Sequence, residues 1–301
     1  MTTADQSQLA RATAYFVCDM GCPHCDSCVS LGPMIVTSGT ARIAVDDRGE
    51  GPATPALLIH AGVTDKRSWW PLIELLSPHR RCIAYDARGS GETTASPEDV
   101  SLTGDAIAVL DACGVERAVV IAASMGGRTA IDLALAHPER VAALVLIGAG
   151  ISGSPGVDVN PPEQERLFAA VEATEEAGDL ELLNRLEAWL WLDGTAAAEG
   201  RVGGEVRELF LAMNAIALAS PDLGELMPEP AWPRLEQVDC PTLVIVGSLD
   251  LDDVRHDAHT LADRVPRSRF VELAGTAHLP HMEADPTCRE IIADFLADKV
   301  R

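Results

Sequence analysis

Side chains able to run acyl transfer recur at the ends of apolar runs in this chain. Ser124 stands in Ile121-Ala122-Ala123-Ser124-Met125-Gly126-Gly127-Arg128, between an apolar run and a helical pattern. A serine hydroxyl is a weak nucleophile until a base takes its proton. A sharp strand–turn–helix lifts such a serine above a sheet edge, and the residues two before and two after it must be small because they touch backbone. Ala122 and Gly126 meet that demand. The spacing small-x-Ser-x-Gly is common by chance; its place between strand and helix gives it weight. The bland reading is a strand-to-helix loop with a capping serine.

The base is expected late in the chain. His278, in Ala274-Gly275-Thr276-Ala277-His278-Leu279-Pro280, follows the last apolar run and is the chosen candidate. His281 competes, but Met282-Glu283-Ala284-Asp285-Pro286 after it already leads into a terminal helix. An imidazole base needs a carboxylate to fix its tautomer and stabilise its charged form. Asp250 is the first carboxylate after Thr242-Leu-Val-Ile-Val-Gly247, with Asp252 and Asp253 close by. The order is nucleophile, acid, base. Two backbone N–H groups must receive the developing oxyanion, each worth about 3 kcal/mol. Met125 is expected to supply one, and Gly62 or Val63, after Leu57-Leu-Ile-His60-Ala61, the other. His60 reads as a structural hydrogen-bonding residue, and His137, before Pro138, as a cap or surface residue.

Bringing these residues to one edge requires a parallel sheet. Apolar runs at 43–45, 56–59, 81–85, 118–123, 142–147, 242–246 and 269–273 read as strands. Several are continuous, as in strands buried on both faces. Helical stretches fall at Leu102 to Cys113, Met125 to Ala136, His256 to Val265 and Pro286 to Val300. The alternation implies an α/β fold with a mostly parallel sheet of about eight strands flanked by helices. It breaks between Ile147 and Thr242, where Glu163 to Ala177 and Leu180 to Leu192 read as helices. Leu182, Leu183, Leu186, Trp189 and Leu190 make one apolar face there. The expected division is a Cys-rich extension over 1–33, a core over 34–150 and 234–301, and an inserted helical cap over 151–233.

Composition narrows the function. A chain of 301 residues buries about 75% of its unfolded surface and needs neither disulfide nor metal to hold a core. With 23 Lys and Arg against 46 Asp and Glu, the formal charge of −23 disfavours nucleic acid and anionic lipid as partners. No apolar run is long enough to span a bilayer and no secretory signal is visible, so a cytoplasmic location is expected. Cys18, Cys22, Cys25 and Cys28 fall in one short window with His24 among them. Thiolates so spaced can converge on one ion, but a structural zinc site ordinarily draws on a second, distant pair. The reading taken is an unstructured extension with no metal. Cys82, Cys113, Cys240 and Cys288 read as buried free thiols.

With these pieces in order, the sequence resembles the α/β-hydrolase superfamily from about Met34 to Arg301. The matching pieces are His60-Ala61-Gly62, Asp86-Ala87-Arg88-Gly89-Ser90-Gly91, Ser124 in its turn, Asp250 after its strand, and His278. Gly62-Val-Thr-Asp65-Lys-Arg-Ser-Trp69 is similar to the loop of esterase-like and enol-lactonase-like members. Ala61 and Ala122 depart from the usual glycines without removing a donor. The resemblance implies an α/β-hydrolase fold and a serine hydrolase of small carboxylic esters or lactones. It implies catalytic Ser124, Asp250 and His278, oxyanion donors Gly62 and Met125, and no cofactor. Carbon–carbon bond hydrolysis and cofactor-free perhydrolysis use the same triad. A ligand-binding protein on a retained fold is the reading outside catalysis. A homodimer is left open. In the cap, Trp189, Trp191, Phe210 and Met213 are candidates to line the pocket or to pack the cap on the sheet.

Overall fold

The computed structural model describes residues 30–97, 101–221, 223–224, 229–283 and 285–299, with backbone alone for 30–33. Cys18, Cys22, Cys25 and Cys28 lie outside these residues. An antiparallel hairpin comes first, β1 (Ser30–Ser38) and β2 (Ala41–Arg48). There follow β3 (Ala53–Ile59), a 3-10 turn (Lys66–Trp69), α1 (Trp70–Leu76) and β4 (Arg80–Tyr85). Next are α2 (Leu102–Ala112), β5 (Ala118–Ala123), α3 (Met125–Ala136) and β6 (Val141–Ile147). The insert holds α4 (Pro162–Ala177), α5 (Leu180–Glu187), a π-helical turn (Ala188–Asp193) and α6 (Gly204–Leu218). The chain then runs through β7 (Thr242–Gly247), α7 (Asp252–Arg264), β8 (Ser268–Leu273) and α8 (Thr287–Lys299).

The eight strands form one sheet in the order β1-β2-β4-β3-β5-β6-β7-β8. Pairing is antiparallel from β1 through β2 to β4 and parallel thereafter. The chain leaves β3 toward β4 on one side and returns to β5 on the other. That reversal opens a crevice beyond the carboxyl ends of β3 and β5, the place where open α/β sheets bind ligands. Gly62 follows β3 and Ser124 follows β5 at this crevice.

β5 shows why the apolar runs are continuous. Ala118, Val120 and Ala122 belong to the core on one face, with Leu110 of α2, Ile131 of α3 and Leu261 of α7. Val119, Ile121 and Ala123 belong to the other, with Leu72 of α1 and Phe295 of α8. Successive residues point to opposite faces, so a strand covered on both sides is apolar at every position. Among the described residues, no helix is long and apolar enough to cross a membrane.

Element boundaries differ from expectation in a few places. β1 starts at Ser30, paired with Arg48 of β2, so the first strand crosses the boundary expected between residues 33 and 34. α7 begins at Asp252 rather than His256, with Asp252 and Asp253 in its first turn, where the helix dipole favours carboxylates. Leu180 to Leu192 is a helix that widens into a π turn at Ala188. α6 and α1 carried no expectation; α1 spans only seven residues, whereas α6 has Val206, Leu209, Phe210 and Met213 at helical spacing, a signal the sequence reading passed over.

A buried ion pair ties the loop after β3 to the loop after β4. Asp86 accepts from the Lys66 backbone N–H at 2.8 Å, from Lys66 Nζ at 2.6 Å and from the Glu92 N–H at 2.8 Å. Burial works against the Lys66 ammonium, but hydrogen bonds and the charges of Asp86 and Glu92 outweigh it and hold its pKa above the ordinary value. Glu92 is largely exposed, so Asp86 is the partner that matters. Removing one member of such a pair strands a charge. Asp86→Asn is expected to cost about 3 kcal/mol in urea unfolding; a loss below about 1 kcal/mol would place the pair among ordinary surface bridges.

Candidate active site

Ser124 occupies the first position before α3 with φ 52° and ψ −116°. It is the only non-glycine residue with positive φ among the described residues. Its side chain makes no capping hydrogen bond to α3, which removes the capping-serine reading. Its backbone is pinned: the Ser124 N–H donates to Ile147 O at 2.9 Å, and the Arg128 N–H donates to Ser124 O at 3.0 Å. Gly126 has no room for a side chain. A Cβ there would overlap Ile59 O and stand 2.6 Å from His60 O. The requirement for a small residue two after the serine is therefore contact with the end of β3.

His278 lies on the loop after β8 and is 2% exposed, and Asp250 on the loop after β7 is 7% exposed. His278 Nδ1 is 3.0 Å from both carboxylate oxygens of Asp250. The carboxylate also accepts from the Leu251 N–H at 2.8 Å. An ionised carboxylate only accepts, so Nδ1 is the donor of this pair, and in the neutral imidazole Nε2 is then the nitrogen with a lone pair. Nε2 is buried and has no hydrogen-bond partner among the described residues. The pair lies against the loop after β6: a Cβ on Gly148 would stand 2.9 Å from His278 Nδ1 and 3.1 Å from Asp250 Oδ2. Gly148 is the residue after Ile147, whose carbonyl holds Ser124. The structure thus brings Ser124, Asp250 and His278 to one sheet edge. Asp252 and Asp253 are elsewhere engaged, with Arg255 and with the Val157 N–H.

Gly62 and Met125 also meet. A methyl group on Gly62 would stand 3.7 Å from Met125 Sδ. Met125 opens α3, and the first N–H groups of a helix have no partner within it. A cavity of 320 Å³ begins at these two residues and extends past Ser90 and Leu102 to Ala217 and Ser220 at the end of α6. Hollows of 730 and 880 Å³ lie at Glu50–Ala53, by the amino ends of the parallel strands, and hold none of the expected residues. His60 is structural: Nε2 accepts from the Ala87 N–H at 2.8 Å and Nδ1 is 2.7 Å from Ala61 O.

The cap residues separate cleanly. Phe210 and Met213 are fully buried in the core beside Ala188 and Leu192, so they pack the cap onto the sheet. Trp189 belongs to a small cluster with Leu167 and Leu251, its indole donating to Ala197 O at 2.9 Å. Trp191 alone of the four meets the site, its ring centroid 4.8 Å from that of His278. Arg201 and Glu283, to which the sequence reading gave no role at the site, bind one another beside the His278 loop through paired contacts of 2.8 and 2.9 Å. Their only sequence signal is charge, and neither falls in a periodic element.

With this geometry in place, the comparisons with known proteins are informative. Residues 54–285 match the model of the alpha/beta hydrolase fold family. The chain belongs to that family. It is 30% identical over 88% of its length to a rhodomycin D methylesterase of a Streptomyces species, covering 99% of that protein. It is likewise 30% identical, over 89% of its length and 94% of the relative, to a 2-hydroxymuconate semialdehyde hydrolase of a Pseudomonas species. A thermophilic esterase from Thermogutta terrifontis superposes with TM-score 0.68 at 23% identity, covering 88% of this chain and 97% of that one, a likeness of fold.

His281, the alternative base, is buried and stacked on Trp69 at 4.3 Å, with neither nitrogen partnered among the described residues. Burial, helped by the charges of His278 and Arg289, pushes its pKa from 6.5 down to about 3. Between those values the unfolded chain binds a proton that the folded chain refuses. This group's contribution is therefore complete above pH 6.5 and is lost as the pH falls toward 3. His281→Phe keeps the stacked ring and removes the titration. Urea unfolding from pH 7 to pH 4, about the span of the shift, should show a shallower decline for the variant than for the wild type; parallel declines would refute the assignment.

Proposed function

We propose that this protein is a serine hydrolase that cleaves a small carboxylic ester or lactone through an acyl-enzyme on Ser124. The observation that carries the reading is His278: Nδ1 is occupied by Asp250, and buried Nε2 has no partner among the described residues, at the sheet edge that also carries the strained serine turn. In this reading His278 Nε2 takes the Ser124 proton as Oγ attacks the carbonyl carbon. The carbonyl oxygen, now negative, is received by the N–H groups of Met125 and Gly62. The tetrahedral intermediate collapses, the ester C–O bond breaks, and His278 returns the proton to the departing alkoxide. Water then adds to the acyl-enzyme, with His278 as base again, and the acid leaves while Ser124 regains its proton. Asp250 holds the imidazole in one tautomer and stabilises its charged form. No cofactor enters these steps.

The methylesterase relative supports an ester substrate. A second reading, hydrolysis of a carbon–carbon bond on the same residues, draws support from the semialdehyde hydrolase relative. The substrate is a small molecule in either case.

Hydrolysis of p-nitrophenyl acetate, butyrate and octanoate by the wild type, Ser124→Ala and Asp250→Asn tests the main reading. Asp250→Asn is expected to lose about 10⁴-fold in kcat and Ser124→Ala about 10⁶-fold, and a fluorophosphonate should label the wild type but not Ser124→Ala. A wild type that labels but leaves all the esters uncleaved would favour the carbon–carbon reading. Equal activity of wild type and Ser124→Ala would remove Ser124 from the chemistry.

A further inference from the structure

Arg201, on the loop between the π turn and α6, spreads its guanidinium over backbone from two parts of the chain. Nε donates to Asp193 O at 2.7 Å and Nη2 to Leu192 O at 2.8 Å, the two carbonyls that follow Trp191. Nη1 donates to Gly275 O at 2.9 Å, three residues before His278. The paired contacts to Glu283 complete the set, and Glu283 Oε1 accepts from the Ala277 N–H at 3.1 Å, directly before His278. One planar group thus grips the backbone that carries Trp191 and the loop that carries His278. The joint is close-packed as well. A Cβ on Gly194, at the end of the π turn, would stand 2.5 Å from Leu249 O and 3.3 Å from Ala277 Cβ, next to Asp250 and His278. Buried Asp193 holds the Arg201 loop from within, accepting from the Gly200 and Val202 N–H groups and from Arg207.

We infer that Arg201 and Glu283 are positioning residues that seat Trp191 against His278, and that Trp191 is the wall of the leaving-group subsite. The inference rests on the serine-hydrolase reading. There, His278 Nε2 delivers a proton to the departing alkoxide, so the leaving group must come within hydrogen-bond reach of Nε2. A ring packed 4.8 Å from the imidazole centroid borders whatever occupies that place. The substrate class that follows is an ester of a small alcohol, or a lactone whose alcohol is tethered to the acyl part. Arginine is the residue type for this task. Its planar fork serves several acceptors at fixed angles, whereas a lysine ammonium on the same loop would reach only some of them. A π turn fits the role too, since such insertions re-aim side chains at functional places.

The test compares wild type, Arg201→Lys, Glu283→Gln and Trp191→Ala as full chains. Phenyl acetate and 1-naphthyl acetate share an acyl group and differ in leaving-group bulk. The wild type should favour phenyl acetate by about tenfold or more in kcat/KM, and each variant should erase most of that preference. Labelling of wild-type Ser124 by a fluorophosphonate, whose leaving group is fluoride, reports the nucleophile separately from the leaving-group preference. Hydrogen exchange supplies a readout free of substrate: in Arg201→Lys, amides 188–194 and 275–279 should lose protection together. The inference is overturned if Trp191→Ala leaves the preference intact. It is equally overturned if Arg201→Lys keeps both the preference and the protection of the wild type, which would reduce Arg201 to an ordinary ion pair. A wild type that neither labels nor cleaves either acetate fails the hydrolase reading instead, and the exchange of 188–194 and 275–279 then decides the coupling alone.

Discussion

The backbone of Ser124 is the constraint on which the rest of the molecule depends. An L-residue held at φ 52° and ψ −116° costs about 1–3 kcal/mol and persists only where its surroundings over-determine it. Those surroundings are two strand ends and a helix. β6 supplies Ile147 O to the Ser124 N–H, β3 packs without a gap on Gly126, and α3 starts immediately after. Relaxing the turn would require moving a strand buried on both faces. The central sheet is therefore the spring that holds the serine out of a cap conformation, and its hydroxyl free of the helix it precedes.

The same sheet edge collects the other loops, and each is fixed by a polar contact in a dry place. His60 receives the Ala87 N–H, Asp86 holds Lys66, and Asp250 holds both the Leu251 N–H and His278. Buried polar atoms are nearly always paired, because an unpaired one costs about 1–3 kcal/mol. Those without a partner among the described residues are thus informative, and they include His278 Nε2, Trp69 Nε1 and both nitrogens of His281. Under the proposed reaction, an open lone pair on His278 is what a base needs before substrate arrives. For His281 and Trp69, which stack on each other, the cost has no counterpart visible in the structure.

Much of this was legible before any coordinates. β5 and α3 begin and end where their apolar patterns do, because a strand buried on both faces and a helix after a tight turn leave little freedom in sequence. The place of Ser124 was legible because it directly follows β5, a strand buried on both faces; Asp250 and His278 stand three and five residues beyond β7 and β8, and β8 is only partly buried, so their places were read from chain order instead. The edges of the fold were harder. β1 pairs on one side only, and part of its strand character comes from backbone pairing with β2 rather than from its side chains. The first two helices of the insert were legible, but α6 and the surface the insert presents were not. Phe210 and Met213 look like Trp191 to any periodicity argument, and only their contacts divide packing from site. Arg201 and Glu283 lie in loops, and their partners are mostly carbonyls and one another, a contact type with no signature in composition.

Family membership fixes the fold; under the proposed reaction the loops at the strand ends would carry the machinery and the insert would shape the place of the substrate. The division is physical. The sheet edge needs exact geometry, so it is built from strand ends; the insert needs shape, so it is built from helices that can shift on loops. The risk of such a design is that the two parts drift relative to one another. Here the insert ends its π turn directly on the Asp250 and His278 loops, so the place where it meets the sheet is the place where it must be accurate. Charge acts on a longer scale. A chain of net charge −23 is indifferent to a neutral ester but repels the carboxylate that ester hydrolysis produces. Under the proposed reaction the field of the whole protein therefore opposes product rebinding, while the short-range donors of the oxyanion site act only where negative charge develops. Acidity that looks unrelated to the site then favours turnover, by making the product the species the molecule holds least well.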